Sequence, residues 1–114
     1  MRAQTCRVIT TGRRTGAEHI VHVWFVVVGS RFYAASRHGL RGDWVQNALH
    51  EGSLELRSGR SSWRGAVSIA APDVVPEVLD AFASKYSRYR SVIDAWRGGP
   101  PVLVEVDLSG EHNA

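Results

Sequence analysis

The sequence has few of the features that mark membrane, secreted or disulfide-stabilised proteins. It contains one cysteine, Cys6, so no internal disulfide can form, as is usual in a reducing cytoplasm. Its longest apolar run, Val23 to Val28, is far shorter than the roughly 20 residues of a membrane-spanning helix. Residues 1–7 are polar and lack the apolar stretch of a secretory signal. We therefore expect a cytoplasmic protein without a membrane span.

Patterns for metal binding and nucleophilic catalysis are also missing. The five histidines lie without metal-ligand spacing, and no Gly-x-Ser-x-Gly elbow or Cys/His constellation occurs. We expect no metal site, and we expect the histidines to be structural. They are His19, His22, His38, His50 and His112.

Lysine is nearly absent, because thirteen of the fourteen basic residues are arginine and only Lys85 is lysine. Guanidinium groups suit bidentate phosphate or carboxylate contacts, although genomic base composition also favours arginine. The net charge of +3 and the pI of about 9.6 raise the question of nucleic-acid binding. The basic residues are spread over several segments without a recognition helix, so we expect no specific nucleic-acid partner.

The length of 114 residues suits a single domain, 1–114, whose polar end, 109–114, we expect to be frayed. Six segments have the β-branched or alternating pattern of strands, separated by Gly-containing turns. The second is apolar at consecutive positions, which predicts a strand covered on both faces. The segments are Thr5–Thr11, His19–Val28, Arg31–Ser36, Ser53–Ser58, Ser61–Ala70 and Val102–Leu108.

Three segments have helical spacing. Asp43 is a good N-cap for a short helix that stops at Gly52 and turns Val45, Ala48 and Leu49 inward. A second helix starts at Pro72-Asp73 and runs to Tyr86, and a shorter piece carries Tyr89, Val92 and Trp96. The sequence thus predicts an α+β fold. A six-stranded antiparallel barrel carries a short helix after the third strand and a helical pair before the last.

Two basic loops are candidates for binding an anion. Arg13 and Arg14 lie at a hairpin tip between Gly12 and Gly16, where backbone N–H groups can approach a phosphate closely. Ser36 and Arg37 follow the third strand, close to a helix N-terminus. A solvated turn and a polar linker remain the alternative interpretations of these two loops.

The order of these segments resembles the deazaflavin-dependent nitroreductase family. The likeness is carried by Ile9–Gly16 (Ile-Thr-Thr-Gly-Arg-Arg-Thr-Gly), Tyr33–Arg37 (Tyr-Ala-Ala-Ser-Arg) and Asp43–Leu49 (Asp-Trp-Val-Gln-Asn-Ala-Leu). It extends from about Cys6 to Asp107. The resemblance implies a split β-barrel, as in the flavoproteins that include pyridoxamine phosphate oxidase.

The resemblance also implies roles for particular residues. Arg13, Arg14, Ser36 and Arg37 match positions that bind the cofactor's phosphate and acidic tail, and Trp44 matches a residue near that tail. Tyr86 and Tyr89 match tyrosines that face the substrate, so they are the candidate catalytic residues. Core packing is the alternative role for Trp44 and Tyr86.

The chain departs from the resembled family at three places. His22 replaces a frequent proline, the loop from Ser36 to Trp44 is shorter, and the chain starts almost at the first strand. The start near the first strand leaves out the N-terminal helical extension of some relatives, and we therefore expect a more open site.

The function implied is hydride transfer from reduced coenzyme F-420, or alternatively from FMN, to a small quinone, enone or nitro compound. A non-catalytic module that binds flavin, deazaflavin or a fatty acid is the alternative. A homodimer is possible in either case.

Overall fold

The computed structural model of the chain describes residues 3–109 and 111–113. Within them, seven strands, three α-helices and two 3-10 turns are formed. The strands are β1 (Thr5–Thr11), β2 (Glu18–Val28), β3 (Arg31–Ser36), β4 (Ser53–Ser58), β5 (Ser61–Ile69), β6 (Val102–Asp107) and β7 (Glu111–Asn113). The helices are α1 (Asp43–Glu51), α2 (Val75–Lys85) and α3 (Arg90–Gly98), and the 3-10 turns are Gly39–Arg41 and Ser87–Tyr89.

The first six strands close an antiparallel barrel in the order β1-β2-β3-β6-β5-β4, and β4 pairs back with β1. This arrangement confirms the predicted six-stranded α+β barrel with one helix after β3 and a helical pair before β6. The sequence predicted only a frayed end after residue 109. The structure instead pairs β7 with β5, from Ser62↔Asn113 to Arg64↔Glu111.

Two strands are shared between two sheets. β2 pairs with β1 from Glu18 to Trp24 and then with β3 from Phe25 to Val28. β5 likewise pairs with β4 over its first part and with β6 from Val67 to Ile69. Since the β2–β3 ladder begins at Phe25, the first half of β2 diverges from the end of β3, and the barrel is split at that point.

The alternation of side chains along each strand produces two cores. One fills the barrel, where strand residues that include Val8, Phe25 and Val104 pack against α1. The α1 residues of this core are Trp44, Val45 and Ala48. The other lies between the outer face of the barrel and helices α2 and α3. Its members include Val26, Tyr33, Phe82, Tyr86, Ile93 and Leu103.

The helix ends differ from the sequence prediction in detail. The N-cap of α1 is Gly42 rather than Asp43, which is the first helical residue. Leu49 is 38% exposed, and the buried face of α1 uses Asn47 instead. The α2 helix begins at Val75 and not at Pro72-Asp73, and residues 72–74 form a turn before it. Asn47 makes polar contacts with Arg13 and Thr10 on this buried face, and hydrophobic spacing alone does not reveal such a buried polar residue.

Gly65 lies where β5 passes from one sheet to the other. A Cβ atom at this position would lie 2.2 Å from the carbonyl oxygen of Asp107 and 2.8 Å from a methyl group of Val106. The lack of a side chain therefore allows β6 to approach β5 closely at this corner.

The corresponding change of partner in β2 is stabilised by two side chains at the end of α2, those of Lys85 and Tyr86. The Tyr86 hydroxyl accepts a hydrogen bond from the Phe25 N–H (3.0 Å), donates to the Gln4 carbonyl (2.7 Å), and lies 3.1 Å from the Phe25 carbonyl. Lys85 Nζ donates to the same Phe25 carbonyl (2.9 Å) and sits 3.3 Å from the centre of the Phe25 ring. Backbone groups at the point where the ladder changes partner are thus satisfied by side chains.

Replacing Gly65→Ala is expected to lower the free energy of unfolding by about 1–3 kcal/mol, because the added methyl group overlaps backbone atoms of β6. Gly98→Ala is the matched control, since a Cβ at Gly98 meets nothing within 4 Å and Ala is favoured in a helix. Urea unfolding of both variants measures the difference. Equal stability of the two variants would contradict the close approach at Gly65.

Replacing Tyr86→Phe should cost about 1–3 kcal/mol of stability, because it leaves the buried N–H of Phe25 without the hydroxyl that accepts its hydrogen bond. Tyr89→Phe is the control and should change stability by less than about 0.5 kcal/mol, since Tyr89 is exposed. Thermal or urea unfolding reports both values. A neutral Tyr86→Phe variant would remove the structural role assigned to this hydroxyl.

Burial lowers the pKa of Lys85 to about 8 from its usual 10.5, which makes stability depend on pH. Between these values the unfolded chain binds more protons than the folded chain, so the free energy of unfolding contributed by Lys85 should rise with pH. Below pH 8 the cost of burying the ammonium is fully present. Urea unfolding from pH 7 to 10 should therefore show wild type gaining stability relative to Lys85→Met. A pH-independent difference between the two proteins would contradict this assignment.

Candidate functional site

A groove of about 1210 Å³ opens where the barrel is split. Its two sides are formed by β2 and β3 where these strands diverge. One end is covered by α3 and by the segment that leads to β6. The lining residues are Thr5, Ile20, Val21, His22, Val23, Trp24, Ala35, Ser36, Arg37, His38, Gly39, Trp44, Val92, Trp96, Gly99, Pro100, Pro101 and Val102. A concave, mainly apolar site with a few polar groups is typical of a small-molecule site.

Three of the four tryptophans line this groove. The Trp24 ring is stacked on Tyr86, with ring centres 4.3 Å apart and planes inclined by 7°, and it meets the edge of Trp96 at 6.3 Å. Trp44 reaches the groove from the barrel side, where it is nearly buried. The groove therefore offers flat aromatic surfaces held in place by packing, which suits a planar ring.

The other end of the groove is polar. Ser36 is buried, and its hydroxyl donates to the Gly39 carbonyl at 2.7 Å, which holds the loop after β3 in a tight turn. Arg37 and His38 follow in this loop and are exposed. The structure thus places Ser36, Arg37 and Trp44 together in one groove. The hydroxyl of Ser36 already serves the loop, so the guanidinium of Arg37 is the stronger candidate for an anion contact.

The arginine hairpin is attached to α1 instead of lining the groove. Arg13 donates to the Asn47 side-chain oxygen from its backbone N–H (3.2 Å) and its guanidinium (2.7 Å), and it lies 3.6 Å from the Asp43 carboxylate. Asn47 is 2% exposed. Arg14 is exposed at the tip. Among the described lining residues neither arginine appears, although Arg13 reaches the first turn of α1, beside Trp44.

The two predicted catalytic tyrosines differ in position. Tyr86 is 1% exposed, and its hydroxyl is bound to the backbone of Phe25 and Gln4. This burial favours core packing, the alternative role given by the sequence analysis, over a catalytic one. Burial also raises the pKa of this hydroxyl. Tyr89 is 45% exposed, with its ring 5.1 Å from that of Trp24, and lies beside the groove without being part of its described lining.

Sequence reasoning missed several groove residues. His22 and Trp24 alternate with Val21 and Val23, so they occupy the outer face of β2, whereas the consecutive apolar run predicted a strand covered on both faces. The spacing of Ile20, His22 and Trp24 could have indicated this exposed face. Trp96 and the Pro100-Pro101 segment reach the groove through the packing of α3, for which the sequence carries no local signal.

A second, smaller cavity of about 220 Å³ lies at the other end of β1. Its lining includes the carboxylates of Glu18, Glu51 and Glu55, two of which contact Arg57 (3.7 Å from Glu18 and 2.6 Å from Glu55). This acidic lining disfavours an anion.

Neither a metal-binding cluster nor a membrane-spanning helix is found among the described residues. No three His, Cys, Asp or Glu residues come together in a way that could hold a metal ion. None of the helices has both the length and the apolar character that a membrane span requires.

Solved structures with the same architecture cover nearly the whole chain. The heme storage protein HutZ from Vibrio cholerae is 11% identical with a TM-score of 0.75, covering 97% of this chain and 85% of its own. A reductase dependent on F-420-H2 is 12% identical with a TM-score of 0.72, covering 91% and 94%. A candidate pyridoxamine 5′-phosphate oxidase from Listeria innocua is 10% identical with a TM-score of 0.67, covering 98% and 88%. These likenesses show the split-barrel fold, and the narrower nitroreductase resemblance stays a prediction.

Sequence comparison gives a family assignment that is independent of these folds. No match was found among curated proteins. A family model described as "Uncharacterized protein conserved in bacteria (DUF2255)" matches residues 2–99, which is most of the chain. The chain therefore belongs to the DUF2255 family of bacterial proteins.

Proposed function

We propose that the chain binds a flavin-type cofactor in its groove and reduces a small apolar acceptor with it. The cofactor is coenzyme F-420, with FMN as the alternative, and the acceptor is a quinone, an enone or a nitro compound. The observation that carries this proposal is the composition of one groove, whose lining combines three tryptophans with the exposed guanidinium of Arg37.

The polar end of the groove fits a phosphate-bearing tail. Arg37 can present two N–H groups to a phosphate, and His38 follows it in a loop that Ser36 holds by its bond to Gly39. Arg37 is exposed and forms no salt bridge with any carboxylate of the described residues, so an anion need not compete with one for the guanidinium. Each charge-assisted hydrogen bond made there contributes about 1.5–3 kcal/mol.

The aromatic end of the groove fits a planar ring system. Trp24 is held by its stack on Tyr86, and Trp96 and Trp44 are held by their helices, so the surfaces are already in place before a ligand arrives. A bound flavin or deazaflavin would supply the hydride chemistry. The chain's own contribution is to position the ring and acceptor and to exclude water from one side of them.

Arg13, Arg14 and Tyr89 have weaker support as site residues. Arg13 is engaged by Asn47 and Asp43, so its contribution is to hold the hairpin beside the first turn of α1. Arg14 is exposed at the tip and can reach a cofactor tail that extends beyond the groove lip. Tyr89 can contact an acceptor above Trp24.

Ligand binding should quench tryptophan fluorescence, because three tryptophans line the groove. Titration with F-420 and FMN should give saturable quenching, and Arg37→Gln should weaken binding of both by about 10- to 100-fold, as loss of one charge-assisted contact implies. Riboflavin lacks the phosphate, so its affinity should be the same for wild type and Arg37→Gln. The measurement is the dissociation constant of each ligand for wild type and for Arg37→Gln.

Two variants control this titration. Arg60→Gln removes an exposed arginine from the β4–β5 turn and should leave every affinity unchanged. Trp63→Phe removes the tryptophan that does not belong to the described groove lining and should retain the quenching signal. If neither F-420 nor FMN binds saturably at tens of micromolar, the proposed function is rejected. Equal weakening by Arg60→Gln and Arg37→Gln would reject the groove as the site.

A non-catalytic binding module is the second candidate. The specific observation in its favour is that the Tyr86 hydroxyl serves the β2 backbone, which removes one of the two phenols predicted to act on a substrate. Such a module would carry a flavin, a deazaflavin or a fatty acid in the same groove. Bound cofactor without turnover of quinones, nitroaromatics and enones would favour it.

A further inference from the structure

His22 lies on the part of β2 that lines the groove. It projects from the outer face of β2 between Ile20 and Trp24, is exposed, and belongs to the groove lining. Residues two apart on a strand are about 6.6 Å apart, so its imidazole is a close neighbour of the Trp24 ring. A planar ligand held on Trp24 would have this imidazole beside it.

Few groove residues can transfer a proton near neutral pH. Imidazole is the side chain that ordinarily changes its charge between pH 5 and 8, and the described lining contains two imidazoles, His22 and His38. His38 follows Arg37 at the polar end, where an anionic tail would sit. The Ser36 hydroxyl is bound to the Gly39 carbonyl, and the Tyr86 hydroxyl is bound to the backbone of Phe25 and Gln4. Within the described lining, His22 is therefore the proton-transfer group that shares a strand face with Trp24.

We propose that His22, which projects from β2 beside Trp24 in the groove, is the catalytic acid that protonates the acceptor. This inference rests on the proposed function and assigns the proton to a histidine in place of the tyrosines that the sequence predicted.

In an α,β-unsaturated ketone, a C–H bond forms at the β-carbon with the hydride of the reduced cofactor and the C=C bond opens. The carbonyl oxygen takes the proton of the imidazolium, the resulting enol becomes the saturated ketone, and His22 regains a proton from water. The cofactor is oxidised by two electrons and the ketone is reduced by two.

The charges around His22 come from two directions. Arg7 is its partner across the β1–β2 ladder, but the guanidinium of Arg7 donates to the Gly59 carbonyl at 3.3 Å. Arg37 and His38, in the loop after β3, are the other charged or titratable residues of the described lining. The part of the lining that comes from α3 and residues 99–102 is uncharged.

The test compares three variants of the full chain, His22→Gln, His38→Gln and His50→Gln, with reduced F-420 as hydride source and cyclohexenone as acceptor. Gln keeps a hydrogen-bond donor at residue 22 but cannot transfer a proton. His22→Gln should lower the reduction rate by about 100-fold and flatten its pH profile, while F-420 affinity from tryptophan quenching stays unchanged. His50 lies on the exposed end of α1, so His50→Gln should match wild type.

A second readout does not depend on turnover. The imidazole C–H proton resonance of His22, assigned by its loss in His22→Gln, should shift when FMN is added, while that of His50 should not. A His22 resonance that is unmoved by bound FMN would overturn the placement of the ligand beside this residue.

The outcomes separate this inference from the proposed function. Suppose that F-420 binds but His22→Gln keeps the wild-type reduction rate and pH profile, or that only His38→Gln changes the pH profile. In either case the assignment to His22 is overturned, while the proposal of cofactor binding stands. Bound cofactor with no turnover by wild type also overturns the acid role and supports a binding module. Failure of both F-420 and FMN to bind overturns the two proposals together.

Discussion

The strand β2 changes partner between Trp24 and Phe25, and the groove exists because of that change. Up to Trp24 it pairs with β1, and from Phe25 it pairs with β3. At the junction the backbone of Phe25 is held by Tyr86 and Lys85, two neighbouring residues at the end of α2. These contacts satisfy buried backbone groups that would otherwise destabilise a strand at its change of partner. A single helix end thus stabilises the split that opens the groove.

The same helix end also arranges the aromatic side of the groove. Tyr86 stacks on Trp24 while its hydroxyl bonds to the backbone of the residue that follows, so the Trp24 ring is held from behind. Phe82 and Trp96 complete the packing, with ring centres 5.3 Å apart. The surface presented to a ligand is therefore continuous with the outer core. A rigid aromatic floor loses little conformational entropy when a planar molecule binds to it.

The arginines show how the same residue type takes different roles. Arg13 is a structural group, because Asn47 on the buried face of α1 accepts two of its hydrogen bonds. Arg31 and Arg57 form salt bridges with Glu105 and Glu55 on the barrel surface. Arg37 is left exposed at the lip of the groove. Each of these guanidinium groups could bind an anion by its charge and its N–H donors. The contacts that each arginine makes within the fold decide which guanidinium is free to do so.

Much of the fold could be predicted from the sequence because its signals are local. Alternating apolar residues, Gly-containing turns and a Gly at the end of α1 are read over a few residues, and they located the six barrel strands and the three helices. The weakest of these signals failed where polar contacts decide, as at Leu49 and Asn47. The short β7 strand was also missed, since three polar residues carry no pattern.

The sequence by itself determined the strands, the helices and the types of residue available for chemistry, since these follow from local spacing and composition. Only the tertiary structure decided that Ser36, Arg37 and Trp44 share one groove with His22 and Trp24, that Tyr86 is a buried support, and that Arg13 serves α1. The physical reason is that these arrangements depend on contacts between residues far apart in the chain. Phe25 in β2 is held by Tyr86 and Lys85, which follow it by 61 and 60 residues, and the groove lining joins β2 to α1 and α3.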